Sequence, residues 1–254
     1  MLLIAHRSPS SADFCAFLRD CGAGVFELDI QAAADGPVVS HFLRVTPLLP
    51  QLRCDGRAVR WGPVGAGAER LSAAMDRIPA GGEVLLDLKD DTGRRGRALA
   101  DLVLRSDLDP ARCYVSSRQW SVLPVLRRAG FRTWRTVSGS RDVARVLDGP
   151  STADDAVTVR HRLLGDGMVD RLRRRGGQVI AWTVNDPDRA AALVDAGVDG
   201  ITSDRAEVFQ LIRSAQDECA AVPNAPAAAC PRGACRGHGT HAGACPDGLA
   251  TSAG

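Results

Sequence analysis

The sequence predicts one α/β domain, a compact TIM (β/α)8 barrel, followed by a low-complexity tail. Three observations lead there. Eight short apolar runs alternate with segments of helical periodicity between residues 2 and 215, the rhythm of a parallel sheet with helices packed outside it. That span falls within the size range of a lean barrel. Several of the early apolar runs also end in chemically active residues. Leu2-Leu3-Ile4-Ala5 ends in His6-Arg7, Val25-Phe26 in Glu27-Leu28-Asp29, Val38-Val39-Ser40 in His41, and Val84-Leu85-Leu86 in Asp87-Leu88-Lys89. A desolvated charge is costly unless it is paired or bound to a metal, so such endings are expected to meet at one rim of the sheet.

In chain order, the predicted strands are Leu2–His6, Val25–Ile30, Val84–Leu88, Cys113–Ser116, Thr133–Val137, Ala156–Val159, Gln178–Val184 and Gly200–Thr202. Helical spacing of apolar residues is clearest over Ser11–Cys21, Leu99–Leu104, Val122–Ala129, Val143–Leu147, Arg189–Ala196 and Ala206–Ile212. Glycines supply the expected helix stops at Gly22, Gly130, Gly149, Gly176 and Gly197. Ser10, Ser140 and Asn185 are cap candidates, the last followed by Asp186-Pro187. Between Asp35 and about Gly67 a Pro-, Gly- and Arg-rich stretch passes through His41 and is expected to run over the barrel mouth, where long βα loops carry function. The alternative architecture, a doubly wound open sheet, would place a Gly-rich phosphate loop after the first strand. Arg7-Ser8-Pro9-Ser10 is not one.

Domain boundaries are predicted at 1–215 for the barrel and 216–254 for the tail. The tail is mostly Ala, Gly, Pro and Cys, with little apolar surface to bury, and is expected to be disordered. Its Cys230, Cys235, His238, His241 and Cys245 match no common zinc spacing. Cys15, Cys21, Cys54 and Cys113 are scattered singly, as small buried residues usually are. A formal charge of +2 gives no reason to expect nucleic acid. No apolar run approaches the roughly 18 residues of a membrane span, and the start lacks a signal-peptide pattern. A cytoplasmic protein is the expectation.

Alternation along a strand puts Glu27 and Asp29 on one face, and likewise Asp87 and Lys89. Phe26, Leu28, Ile30, Leu86 and Leu88 then point outward to the helices. Three convergent carboxylates need a cation among them. Oxygen-only ligation by Glu27, Asp29 and Asp87 suits one hard divalent ion, Mg²⁺ or Ca²⁺. His6 and His41 can exchange protons near neutral pH. Arg7 and Lys89 offer positive charge to an anionic substrate. Of the 32 basic residues only Lys89 is lysine, so the chain keeps one compact ammonium beside these carboxylates.

These motifs, in this order, resemble the glycerophosphodiester phosphodiesterase family. Ala181-Trp182-Thr183-Val184-Asn185 and Gly197-Val198-Asp199-Gly200-Ile201-Thr202-Ser203-Asp204 are similar to its last two strands, and the resemblance spans roughly residues 2 to 210. It implies a TIM barrel that hydrolyses phosphodiesters with one divalent metal, releasing sn-glycerol 3-phosphate and an alcohol. It also implies that His6 and His41 are the acid–base pair and that Glu27, Asp29 and Asp87 hold the metal. Arg7 and Lys89 would face the phosphate, and Trp182 would form the pocket wall. His161, at the sixth strand end, is a further candidate for the mouth. The chain departs from the family pattern at Ser8 (usually Gly), Phe42 (usually Asp) and Asp87 (usually Glu), and its segment from His41 to Asp87 is short. Two other activities fit the same residues: formation of a cyclic phosphate, as in phospholipase-D-like toxins, and a silent phosphoester-binding barrel.

Overall fold

A computed structural model describes residues 1–7, 11–33, 36–40, 51–54, 59–62, 68–89, 93–150 and 156–220. His41, Ser8, Phe42 and the tail beyond residue 220 lie outside the described residues. The chain runs β1 (Leu2–Ala5), α1 (Ala12–Asp20), β2 (Val25–Ala33), β3 (Gly36–Val39), β4 (Gln51–Cys54), β5 (Val59–Gly62), β6 (Glu69–Arg70) and α2 (Leu71–Met75). It continues through β7 (Glu83–Leu88), α3 (Gly93–Leu104), β8 (Cys113–Ser117), α4 (Leu123–Arg128), β9 (Arg132–Val137), α5 (Ser140–Asp148) and β10 (Ala156–Arg160). α6 (Met168–Gly176), β11 (Val179–Trp182), α7 (Pro187–Asp195), β12 (Gly200–Ser203) and α8 (Ala206–Ala220) complete it.

The parallel strands pair in the order β1-β12-β11-β10-β9-β8-β7-β2, and β1 pairs back onto β2, closing the TIM barrel. All eight predicted strands are barrel strands. β3 folds back antiparallel on β2, and β6 pairs with β3 at its edge. β4 and β5 form a separate antiparallel pair within the predicted excursion.

Period-two alternation sorts the barrel side chains. Phe26, Leu28, Ile30, Leu86 and Leu88 are buried against the helices, as are Val115, Val157, Val159, Val179 and Ile201. The opposite face fills the barrel interior in layers. At the N-terminal end of the strands Arg132 pairs with Glu83 at 2.6 Å, and Tyr114 donates to Glu83 Oε2 at 3.0 Å. Above them Ile4, Val25, Leu85, Tyr114, Trp134, Ala156 and Ile180 form an apolar plug, with the Tyr114 and Trp134 rings 4.4 Å apart. The C-terminal rim of the barrel therefore rests on a packed interior rather than an open pore.

Local signals were legible to within about one residue. Ser11 caps α1, accepting from the Phe14 amide, in place of Ser10. Gly139 caps α5 in place of Ser140, and Asp186, with Pro187 as the first helical residue, caps α7 in place of Asn185. Gly22, Gly130 and Gly197 carry the positive φ of helix stops, whereas Gly149 does not. Gly176 is the last residue of α6 and Gly177 carries the positive φ. A Cβ at Gly176 would lie 2.8 Å from Val157 Cγ1, so its role is close approach of α6 to β10. α8 continues past Ala215 to Ala220.

Gly200 fixes the barrel seam. A Cβ there would lie 2.9 Å from Ile180 Cδ1 and 3.0 Å from both the Leu2 carbonyl oxygen and Leu2 Cβ. Gly200→Ala is predicted to destabilise the protein by about 1–3 kcal/mol through overpacking. Denaturant unfolding checks this, and an unchanged midpoint would contradict the packing.

Candidate active site

The rim is built from strand ends around the barrel, with its carboxylates on β2 and β7. β2 and β7 run in parallel register with Asp29 opposite Asp87 and Glu27 opposite Leu85, which places the three carboxylates on adjacent inward positions. Each of Glu27, Asp29 and Asp87 offers an oxygen, and these atoms lie within 4.8 Å of one another. At that separation two full charges repel by roughly 3–4 kcal/mol at an effective dielectric of about 20. Positive charge must therefore be close by. Lys89 supplies some of it: its ammonium sits 2.7 Å from Asp29 Oδ1 and also pairs with Asp87 Oδ2. Burial alone would lower the Lys89 pKa, but Asp87, Asp29 and Glu27 outweigh it and hold the ammonium protonated. Ser116 on β8 donates to Asp87 Oδ1 at 2.7 Å.

Glu27 remains incompletely compensated. Its Oε2 is buried with no hydrogen-bond partner, and His6 Nε2 lies 3.5 Å from it. Burial pushes its carboxyl up to about 7, with His6 opposing and Asp29 and Asp87 adding to the shift. A buried carboxylate oxygen lacking a donor, inside a cluster of three, fits a hard divalent cation.

His6 follows β1, and its amide bonds the Ser203 carbonyl across the barrel seam at 2.9 Å. Its Nδ1 lies 2.7 Å from Asp204 Oδ1. Asn185 donates to the other Asp204 oxygen at 2.8 Å, while its own carbonyl oxygen accepts from the Asp204 amide and the Ser203 hydroxyl. With Asp204 ionised, Nδ1 carries the proton and Nε2 faces Glu27 and the cavity. Burial lowers the His6 pKa, but the Asp204 hydrogen bond and the charges of Glu27 and Asp204 outweigh it, giving a net rise. The same contacts hold Asp204 below its ordinary value despite burial, which acts the other way.

Arg7 is the one non-glycine residue with positive φ among those described, at 52°. This conformation costs an L-residue about 1–2 kcal/mol. It sits at the turn out of β1, with the Arg7 Nε 3.8 Å from Asp29 Oδ2.

These groups open into a cavity of about 590 Å³ whose wall includes His6, Arg7, Glu27, Asp87, Lys89 and Trp182. Trp182 is part of that wall. His161 is not; Arg160, one residue earlier and in phase with Ala156 and Thr158, takes the mouth position. His161 leaves the strand in a 3-10 turn, and burial lowers its pKa. A second cavity of about 690 Å³ lies outside the barrel against α2 and holds none of these groups. Sequence reasoning missed roles for Asp204, Asn185, Ser116 and Arg160. The signal was available, since each also stands at or just after the end of an apolar run.

A closed parallel barrel with a carboxylate–histidine cluster at its C-terminal rim defines the class: a TIM barrel whose three grouped carboxylates could hold a metal ion. The sequence profile of the Glycerophosphoryl diester phosphodiesterase family matches residues 83–208. The probable glycerophosphodiester phosphodiesterase 2 of Mycobacterium tuberculosis is 30% identical over 229 residues, covering 78% of this chain and 82% of that protein. Among solved structures, an Oleispira antarctica phosphodiesterase in complex with the product sn-glycerol-3-phosphate is 19% identical, with a TM-score of 0.61. The match covers 84% of this chain and 97% of that one. A Thermotoga maritima glycerophosphodiester phosphodiesterase gives 18% identity and 0.60 over the same shares. The chain belongs to the glycerophosphoryl diester phosphodiesterase family, a family of phosphoric diester hydrolases.

If the three carboxylates hold an ion, saturating Mg²⁺ or Ca²⁺ should raise the melting temperature, because only the folded chain assembles the site. In Asp87→Asn most of that rise should vanish. Calorimetric scans with and without the ion read this, and an equal rise in the variant would remove Asp87 from the ligand set.

Proposed function

We propose that the protein hydrolyses a glycerophosphodiester to sn-glycerol 3-phosphate and an alcohol, using one divalent cation, Mg²⁺ or Ca²⁺. The observation that carries this reading is the apposition of the His6 ring to the carboxylate cluster, 3.5 Å from Glu27, inside the 590 Å³ cavity. Glu27, Asp29 and Asp87 would hold the ion. When bound, it would supply electrophilic stabilisation of charge developing on a phosphate oxygen.

The chain's own residues do the rest. Asp204 fixes the His6 ring and keeps the proton on Nδ1, so Nε2 can take or give a proton at the reacting phosphorus side. Asn185 donates to that carboxylate and is itself held by the Asp204 amide, which donates to the Asn185 side-chain oxygen. Lys89 and Arg7 add positive charge at the phosphate end of the cavity. The partner proton transfer is assigned to His41 by the family resemblance. Trp182 shapes the wall opposite the carboxylates. A small-molecule phosphodiester is the partner this cavity suits. Among the described residues no helix is long and apolar enough to cross a membrane. Cys15, Cys21 and Cys113 are buried free thiols, in keeping with a reducing cytoplasmic setting.

Two outcomes test the reading. Hydrolysis of glycerophosphodiesters should require added divalent cation and stop on chelation, with phosphorus NMR showing a phosphomonoester. A cyclic phosphate product would instead assign the cyclising activity, and full turnover in excess chelator would remove the metal. His6→Ala should lower turnover by about 10²–10⁴-fold at a near wild-type melting temperature. Asp204→Asn should lower it in the same direction by less. Wild-type turnover in His6→Ala would displace it from the acid–base role.

A further inference from the structure

The three carboxylates are not equally able to turn both oxygens toward a common centre. Asp87 and Ser116 are register partners on β7 and β8, and the buried Ser116 hydroxyl donates to Asp87 Oδ1 at 2.7 Å. Lys89 bridges Asp87 Oδ2 to Asp29 Oδ1. Oδ2 is therefore the oxygen on the β2 side, toward Asp29, while Oδ1 is drawn to the β8 side with the serine proton against it. Ser116 has little room to swing away. Its register partner on β9 is Trp134 and the preceding inward residue of β8 is Tyr114, both members of the apolar plug.

That arrangement bears on which ion the cluster takes. Calcium accepts roughly six to eight oxygens in a flexible shell and takes carboxylates through one or both oxygens. Magnesium demands a near-octahedral shell and keeps several of its waters, and the narrow bite of a two-oxygen carboxylate does not fit its right angles. An ion among Glu27, Asp29 and Asp87 meets Asp87 through Oδ2, which has a second lone pair beside Lys89. Taking both Asp87 oxygens would break the Ser116 bond and leave a buried hydroxyl unpaired, which is costly. Asp29 likewise has a cation on each side, Lys89 at Oδ1 and Arg7 Nε 3.8 Å from Oδ2. Among the described residues the cluster thus offers one oxygen from each of three carboxylates. Water and phosphate oxygens would fill the other positions, which is how magnesium is usually held beside phosphate groups.

Resting on the phosphodiesterase reading and its divalent ion, we propose that the site selects Mg²⁺ over Ca²⁺ and that Ser116 sets this selectivity as a positioning residue. By holding Oδ1, Ser116 fixes the plane of the Asp87 carboxylate and limits it to a single ligand oxygen. Without the hydroxyl, Asp87 can rotate and present both oxygens, which favours calcium, and its single-oxygen geometry is no longer held, which disfavours magnesium.

Calorimetric titration of the metal-stripped full-length protein with MgCl₂ and with CaCl₂, in the absence of substrate, reads this directly. In the wild type the Kd for Ca²⁺ should exceed that for Mg²⁺. Ser116→Ala should lower the ratio of Ca²⁺ to Mg²⁺ dissociation constants by about tenfold, the scale on which groups supporting a metal ligand act. Ser116→Cys, similar in shape with a weaker donor, should shift the ratio the same way by less. Ser117→Ala removes the neighbouring hydroxyl of β8, which caps the Gln119 amide, and should leave the ratio unchanged. Tighter binding of Ca²⁺ than Mg²⁺ by the wild type, a result that needs no variant to fold, overturns the selectivity proposal. So does a Ser116→Ala protein whose two affinities fall equally or stay unmoved. In either case glycerophosphodiester hydrolysis, assayed separately, leaves the phosphodiesterase reading standing. Binding of neither ion by the wild type overturns this proposal and the metal assignment together.

Discussion

The site depends on a single electrostatic constraint: three carboxylates share a space too small for their charges. Glu27, Asp29 and Asp87 lie within 4.8 Å of one another at the end of a dry, apolar plug. Mutual repulsion and desolvation both oppose their ionisation. Lys89, anchored on Asp29 and Asp87, relieves part of this, and His6 relieves part at Glu27. The divalent ion proposed for the site would compensate the remainder. The one lysine of the chain stands at this point, its compact ammonium on a flexible stem paired with carboxylates of two neighbouring strands.

Barrel closure converts this local constraint into a catalytic arrangement. His6 and Asp204 are separated by 198 positions in sequence, yet the pairing of β1 with β12 sets them 2.7 Å apart. Gly200 lets those strands approach, and the Tyr114–Trp134 plug below keeps the floor rigid. Placement of reacting groups on strand ends, supported by hydrogen-bonded neighbours such as Asn185 and Ser116, is how a barrel holds a site to the tolerance that proton transfer needs.

Much of this could be read from the chain alone, for identifiable reasons. Barrel strands are short, apolar and alternate with period two, so Val25–Ile30 and Val84–Leu88 declared both their strand character and their inward carboxylates. α6 was harder, because Arg171 and Arg173–Arg175 obscure the narrow stripe of Val169, Leu172 and Gly176 that it buries. α2 spans only five residues and shows no clear period. Asp204 stood in a motif without a role and Asn185 read as a helix cap, since a polar residue after a strand reads as loop until closure brings it to His6. The preference for Arg160 over His161 needed the strand phase carried one residue further. His41 was named from sequence and lies outside the described residues.

Family membership gives the reaction class, and the strand ends set the lining of the cavity. The carboxylate cluster and His6 stand at the ends of β1, β2 and β7, and the wall from β8 to β12 includes Ser116, Thr136, Thr158, Arg160, Trp182 and Thr202. That division makes the location of the ion the hinge of the whole account. Anomalous diffraction from crystals soaked in Mn²⁺, a scatterer that accepts the same oxygen ligands, measures it directly. The account predicts one strong peak within coordination distance of carboxylate oxygens from Glu27, Asp29 and Asp87. No peak between those three residues at saturating Mn²⁺, or a peak bound elsewhere, would contradict it.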